Sequence, residues 1–373
     1  MEYDVASIRR KLVITSASVA TLLLAGCGGG TTAPGAGSTN PSDPASITGT
    51  VRLYSYEDGY DADYMKSFHE MYPNIKLETA SFGSNEEAIA KVQAGFKADV
   101  INTCVDEGAQ EAVEKGVYAP IDTARLENWD KIWPAMKEMP GVTVDGNVYV
   151  VPVDAGTAGL IYNADKITTP PGSWKDLFDP KYKGRASLQD NAVTAVDIGA
   201  LATGISDPLN IDATQLEAVT KFLSDNRGQF RTLWEDQGEI AAQFKSGEID
   251  IASGYTNIVK DLQADGLNVK FAVAKEGQML WTCGYGISPD IADENVDAAY
   301  ALLNWYTSLP AQVYEATNWN YMTSNEGIID AVTPEVRKDA ALDTLFDLDN
   351  AIPAAPPKDR AAWVKAWAEV KAS

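Results

Sequence analysis

The stretch from Val148 to Asn163 reads Val-Tyr-Val-Val-Pro-Val-Asp-Ala-Gly-Thr-Ala-Gly-Leu-Ile-Tyr-Asn. Its ends are β-branched and aromatic, and its centre is small and glycine-rich. The ends favour extended chain, and the small centre suits a bend more than a helix. One long extended run of this kind predicts a strand that leaves one domain and enters another, bending at the small residues. The chain has 373 residues, which leaves room for about two domains.

Around that run, short apolar segments alternate with helical periodicity. Val51–Tyr56, Asn74–Phe82 and Ala98–Cys104 read as strands. Met65, Phe68 and Tyr72, then Ala88, Val92 and Phe96, follow at helical spacing, and Gln110–Lys115 adds a short helix. A second unit repeats the pattern with the strand segments Ala186–Asp190, Phe230–Asp236 and Ile249–Ala252. The helices there include one with Leu216, Val219 and Leu223, and another over Ile240–Lys245. Late helices are expected around Ala298–Tyr306 and Ala311–Ala316, with a final amphipathic one carrying Trp363, Ala366, Trp367 and Val370. Such alternation predicts an α/β fold with mostly parallel sheets, flanked by helices, with ligands beyond the carboxyl ends of the strands. Those ends carry Tyr56-Glu57-Asp58, Ser81-Phe82-Gly83 and Cys104-Val105-Asp106. None has a phosphate-binding glycine pattern, so no nucleotide or other cofactor is expected.

The formal charge is −23, which opposes nucleic acid and attracts cations. The single histidine, His69, lies in a helical surface pattern. That excludes Ser-His-Asp and Cys-His chemistry unless His69 is the base, and zinc sites need clusters that are absent. No Gly-x-Ser-x-Gly elbow is present. No catalytic or metal site is expected, and the chain is read as a non-enzyme.

Residues 1–26 read as a secretory leader. Arg9-Arg10-Lys11 precedes an apolar segment, Leu12–Ala25, that is too short for a stable membrane span. It ends in Leu24-Ala25-Gly26-Cys27, which resembles a bacterial lipobox and implies lipidation of Cys27. Gly28–Ser46, rich in Gly, Thr, Pro and Ser, is expected to be a flexible tether over 27–46. Lipid and tether together place the body outside the cytoplasmic membrane, where disulfides form.

The segment Lys275–Ile287 holds Trp281 and Cys283. It reads as an apolar turn between a strand at Val269–Val273 and another at Gly284–Ile287. Two readings stay open: a hairpin packed in the core, or a ligand wall in which rings and glycines face the solute.

The order of blocks resembles the two-lobed type II extracellular solute-binding proteins of ABC importers, most of all the spermidine/putrescine-binding family. The blocks are Leu53-Tyr54-Ser55-Tyr56-Glu57-Asp58, Ser84-Asn85-Glu86, Asp99-Val100-Ile101, Tyr149-Val150-Val151-Pro152, Ser173–Gly184, and Lys275-Glu276-Gly277 followed by Trp281. The resemblance implies two α/β lobes, 47–154 plus 281–327 and 155–280 plus 328–373, with crossovers near 153–157, 278–282 and 325–331. It implies a monomer that takes a cationic amine between its lobes and hands it to permease subunits. Rings of the family match Tyr56, Tyr255, Trp281 and Tyr321. Its amine-binding aspartate falls at Cys283 and a pocket serine at Cys104. An acidic pair becomes Asn191 and Thr194, with Asp190 close by. Glu57, Asp58, Asp106, Asp154, Glu235 and Asp236 remain as replacement charges. Since Cys104 and Cys283 both match pocket positions, the resemblance implies a disulfide on the cleft wall. The departures leave open a sugar, an amino-acid derivative or a quaternary amine as the solute.

Overall fold

The computed structural model describes residues 33–343 and 351–373. Among them, eleven strands join one sheet. They are β1 (Gly49–Ser55), β2 (Ile75–Ser81), β3 (Val100–Cys104), β4 (Val151–Asn163), β5 (Ala186–Gln189), β6 (Phe230–Trp234), β7 (Ile251–Gly254), β8 (Val269–Ala272), β9 (Gln278–Ile287), β10 (Met322–Thr323) and β11 (Ala351–Ile352). The order along the main path is β2-β1-β3-β9-β4-β7-β5-β6. β1 is parallel to β2 and β3, and β5 is parallel to β6 and β7. These are the two parallel parts that strand–helix–strand connections impose.

Antiparallel β4 and β9 join those parts. The first half of β4 pairs with β9, setting Gly156 opposite Trp281 and Asp154 opposite Cys283. Its second half pairs with β7 through Gly159–Tyr162 and with β8 through Leu160–Asn163. The long extended run therefore crosses from one lobe to the other, as its composition predicts. Gly156 is required there. A Cβ at that position would stand 2.5 Å from Cζ2 of Trp281, so only glycine lets the indole lie against the strand.

The apolar side chains divide in the same way. One core gathers Val51, Leu53, Tyr64, Phe68, Trp305 and Tyr306, and a neighbouring one Tyr54, Ile101 and Val105. The other lobe is built on Trp174, Leu188, Leu201, Trp363 and Trp367, with Trp234, Phe244 and Ile258 alongside. Ile328, Ala340 and Leu342 belong to the first core, and Ile352 and Val370 to the second. In the first lobe Asp99 is fully buried and takes Nε of Arg52 at 2.9 Å and Nη2 at 2.5 Å, so this buried carboxylate is paired.

Two expectations need correction. The Lys275–Ile287 segment is not a hairpin turn between paired strands. β8 and β9 both pair with β4 and not with each other. The turn is confined to Lys275–Gly277, where Gly277 has φ 137°. Glu276 accepts the backbone N–H of Trp174 at 3.1 Å, and the Gly277 carbonyl accepts its indole N–H at 3.0 Å. These contacts fix the turn to the other lobe's core and leave Trp281 and Cys283 inside a strand. Secondly, part of the expected tether is hydrogen-bonded to the body. The side chain of Asn40 donates to the Arg125 carbonyl at 2.6 Å and accepts from Arg125 Nε at 3.1 Å. Gly37 N–H reaches Asp122 at 3.1 Å. The Arg125 guanidinium is buried, and a buried cation requires acceptors. The leader, Cys27 and the start of the tether lie outside the described residues.

Candidate functional site

The carboxyl ends of the strands from both lobes meet at one cleft. β1 delivers Tyr56, Glu57 and Asp58, the end of β2 delivers Phe82, and the end of β3 delivers Cys104 and Glu107. From the other lobe come Gln189 at the end of β5, Trp234 to Gln237 from the end of β6 onward, and Tyr255 after β7. β9 supplies Trp281 and Cys283, and the loop before β10 supplies Tyr321. The open space is about 650 Å³, including its mouth, and no Lys, Arg or His lines it.

The rings form a continuous wall. Trp281 meets Tyr321 edge-on, with centroids 4.8 Å apart, and Tyr255 at 6.1 Å. Tyr56 leans on Phe82 at 4.6 Å. Such faces cover methylene groups and attract cations. Cys104 and Cys283 are directly opposed on β3 and β9 and joined by a disulfide, which lines the cleft.

Carboxyl groups lie between the rings. Glu107 is buried and accepts from the Tyr56 hydroxyl at 2.8 Å and from Nδ2 of Asn191 at 2.7 Å. That second bond crosses between the lobes. Asn191 also caps the helix Ala192–Thr203 by accepting from Thr194 N–H at 3.1 Å. Asp58 accepts from the Tyr321 hydroxyl at 3.0 Å. Asp236 caps the helix Gln237–Ser246. Partial burial, and after it the Asp236 charge, raises the pKa of Glu57.

Of the residues expected from sequence, Tyr56, Glu57, Asp58, Cys104, Tyr255, Trp281, Cys283 and Tyr321 line this cleft. Asp106 does not. It faces a smaller chamber behind Trp281 and Tyr255, with Asp197. Asp190 is not among the cleft residues either. It accepts from Nε1 of Trp367 at 2.7 Å and pairs with Lys371 at 2.9 Å. Its charge is therefore used on the carboxy-terminal helix, Arg360–Lys371. Sequence reasoning missed Glu107, Gln189, Trp234 and Gln237, and it placed Phe82 only at a strand end facing the ligand side. Glu107 stands next to a singled-out aspartate, and adjacency to Asp106 was the available signal. Among the described residues no group of His, Cys, Asp and Glu converges to hold a metal ion.

Burial dominates the electrostatics. Desolvation, then the neighbouring Glu107 charge, pushes Asp106 up to about 8. Desolvation, then the Glu86 charge, pushes Glu107 up to about 7. Asp58 is also raised, by burial, against the opposing Tyr321 hydrogen bond. In the unfolded chain these groups ionise near 4. Between pH 4 and 8 the folded state binds more protons, so its stability falls as pH rises. The exposed acids with lowered values, Glu87 and Asp290 among them, act only in the acid range below that window. The melting temperature of the unliganded protein is expected to fall by roughly 5 °C or more from pH 5.5 to 8.5. A calorimetric scan series checks this, and a flat or rising profile contradicts it.

A family model described as a bacterial extracellular solute-binding protein matches residues 63–344. The putrescine-binding periplasmic protein PotF of Escherichia coli is 24% identical over 345 residues, covering 86% of this chain and 91% of that protein. A solved structure described as a putative spermidine/putrescine ABC transporter from Listeria monocytogenes superimposes with a TM-score of 0.74 at 21% identity. It covers 86% of this chain and 98% of its own. The Agrobacterium tumefaciens binding protein MotA, solved with glucopine, superimposes at 0.69 with 20% identity, over 87% of this chain and 100% of its own.

Proposed function

The chain belongs to the bacterial extracellular solute-binding proteins, and we propose that it captures a small cationic amine of the polyamine class for an ABC importer. One observation carries the reading. The cleft combines an aromatic wall with Glu57, Asp58, Glu107 and Asp236 and holds no basic side chain. The rings cover a methylene chain, and the carboxylates offset desolvation of its ammonium ends. The name of the E. coli relative points to the same chemistry. The solute leaves unchanged, since the cleft's role is to hold it.

Closure would use contacts between the lobes. Arg360, on the carboxy-terminal helix of the second lobe, reaches Glu86 at 2.7 Å and also pairs with Glu111, both on the first lobe. Asn191 bonds Glu107 across the same gap. These bonds form only when the lobes approach, so they favour the closed form that a permease receives. The lobe division we adopt follows the cores: residues up to Leu342, apart from 158–279, go with the first lobe, and the chain from Ile352 with the second, except Ala354, which packs in the first core. Lipidation at Cys27, export, and action as a monomer complete the proposal.

One feature favours a second reading, a solute other than a polyamine. Cys283 stands where the resemblance implies an amine-binding aspartate, and MotA was solved with glucopine. A thermal-shift series on the mature protein separates the two. Putrescine, spermidine or agmatine at about 100-fold above Kd is expected to add roughly 2.7 kcal/mol and raise the melting point by several degrees. No shift with any amine, together with a shift by a sugar or an opine, overturns the amine reading.

A further inference from the structure

Beneath the cleft, on the side of Asp58, lies an inner chamber of about 320 Å³ including its opening. Tyr56, Asp58, Trp281 and Cys283 line both spaces, so the chamber adjoins the cleft. Three elements send acceptors into it: Asn102 from β3, Asp154 from β4, and Glu315 from the short helical segment Glu315–Trp319. Asn102 and Glu315 are 5% and 1% exposed. Oδ1 of Asn102, Oδ1 of Asp154 and Oε2 of Glu315 are buried and have no hydrogen-bond partner.

Open buried acceptors are costly, because each has lost its water without gaining a partner. All three are oxygens, two of them on carboxyl groups, and the buried indole Nε1 of Trp281, also unpartnered, bonds none of them. The other groups facing the chamber do not answer them. The Tyr64 hydroxyl donates to the other oxygen of Glu315. Tyr321 donates to Asp58 at 3.0 Å. The Tyr285 hydroxyl lies 3.3 Å from Ser55 Oγ. No Lys, Arg or His lines the chamber. The missing partner is therefore a small group with several N–H donors and a positive charge. A primary ammonium has three donors and one charge. Tyr64, Tyr285, Trp281 and Trp319 add ring faces around it.

We propose that this chamber seats one primary ammonium group of the bound solute, with Asp154, Glu315 and Asn102 as its acceptors. The inference rests on the amine reading above and names the subsite that reading lacks. It also has a proton consequence. Burial holds Glu315 and Asp154 well above the usual carboxylate range; after burial the cause is the Asp154 charge for Glu315 and the Asp58 charge for Asp154. An entering ammonium favours the ionised form of the carboxyl it touches. That carboxyl then loses its proton to the buffer, while the amine keeps its own.

The test is calorimetric titration of the full mature protein with putrescine at pH 7, in two buffers of different ionisation enthalpy. The wild type is expected to release a proton on binding, with a stoichiometry of order one. Glu315→Gln keeps the shape and the Tyr64 contact but cannot ionise. It is expected to weaken putrescine at least about 30-fold and to reduce the proton release. Asp154→Asn is expected to act in the same direction, which guards against one variant failing to fold. Wild-type binding with both variants within about threefold of it, and with unchanged proton release, overturns the chamber while leaving the amine reading intact. A wild type that binds neither putrescine nor spermidine overturns the amine reading and the subsite with it.

Discussion

Trp281→Ala is expected to weaken amine binding by about 100-fold, close to 3 kcal/mol, the range of an aromatic anchor lost from the centre of a binding site. Trp281 is central in a literal sense, because it lines the cleft and both inner chambers. Removing it strips the cation-attracting face from each and opens them to one another. The indole is also held from behind, by Gly156 across the strand pair and by Tyr321 and Tyr255 edge-on. Trp281→Phe keeps a ring at the site and should recover much of the affinity. Titration calorimetry of the two variants against putrescine checks this. An alanine variant that binds within threefold of wild type shows that the ring is core packing and nothing more.

Loss of the Cys104–Cys283 bond is expected to destabilise the protein by roughly 3–5 kcal/mol. The two residues are 179 apart in sequence, and a bridge across so long a loop removes much of the unfolded chain's freedom. In melting temperature that is roughly 5–15 °C. The double variant Cys104→Ser with Cys283→Ser should match the reduced wild type in a calorimetric scan. A second consequence concerns the site. The bond pins the end of β3 to β9, and two further bonds extend that contact. Val105 N–H donates to the Thr282 carbonyl at 2.8 Å, and Thr282 N–H reaches Asp106 at 3.4 Å. The turn that carries Glu107 follows directly. Reduced protein should therefore bind the solute more weakly as well. Identical melting with and without reductant would dispose of the idea.

The fold was legible because its signals are local. Strand patterns at Val51–Tyr56, Asn74–Phe82 and Ala98–Cys104, and the helical spacing of Trp363, Ala366, Trp367 and Val370, depend on side-chain period alone. The small centre of the long run marked the crossover for the same kind of reason. A strand lying against a large ring admits only glycine at position 156. The rings of the cleft were legible through the order of blocks. The turn at Lys275–Gly277 was misread, since its partners, Ser173 and Trp174, lie about a hundred residues earlier.

Which charges line the cleft was not written locally. Asp190 and Glu107 are both acids that follow strand ends, and nothing near either one separates them. Asp190 is taken up by Trp367 and Lys371, 177 and 181 residues later. Glu107 is turned into the cleft by Tyr56 and Asn191, 51 residues before it and 84 after. Asp154 and Glu315 share a chamber through a sheet register and a helical segment distant in the chain. The residue sequence alone determined alternating α/β elements and a crossover strand, because these follow from periodicity and side-chain shape; the two lobes and the rings of the cleft came through the resemblance of its ordered blocks. Only the tertiary structure decided which carboxyl groups are desolvated, which are paired and which face the cleft. Desolvation and pairing depend on neighbours that folding brings together.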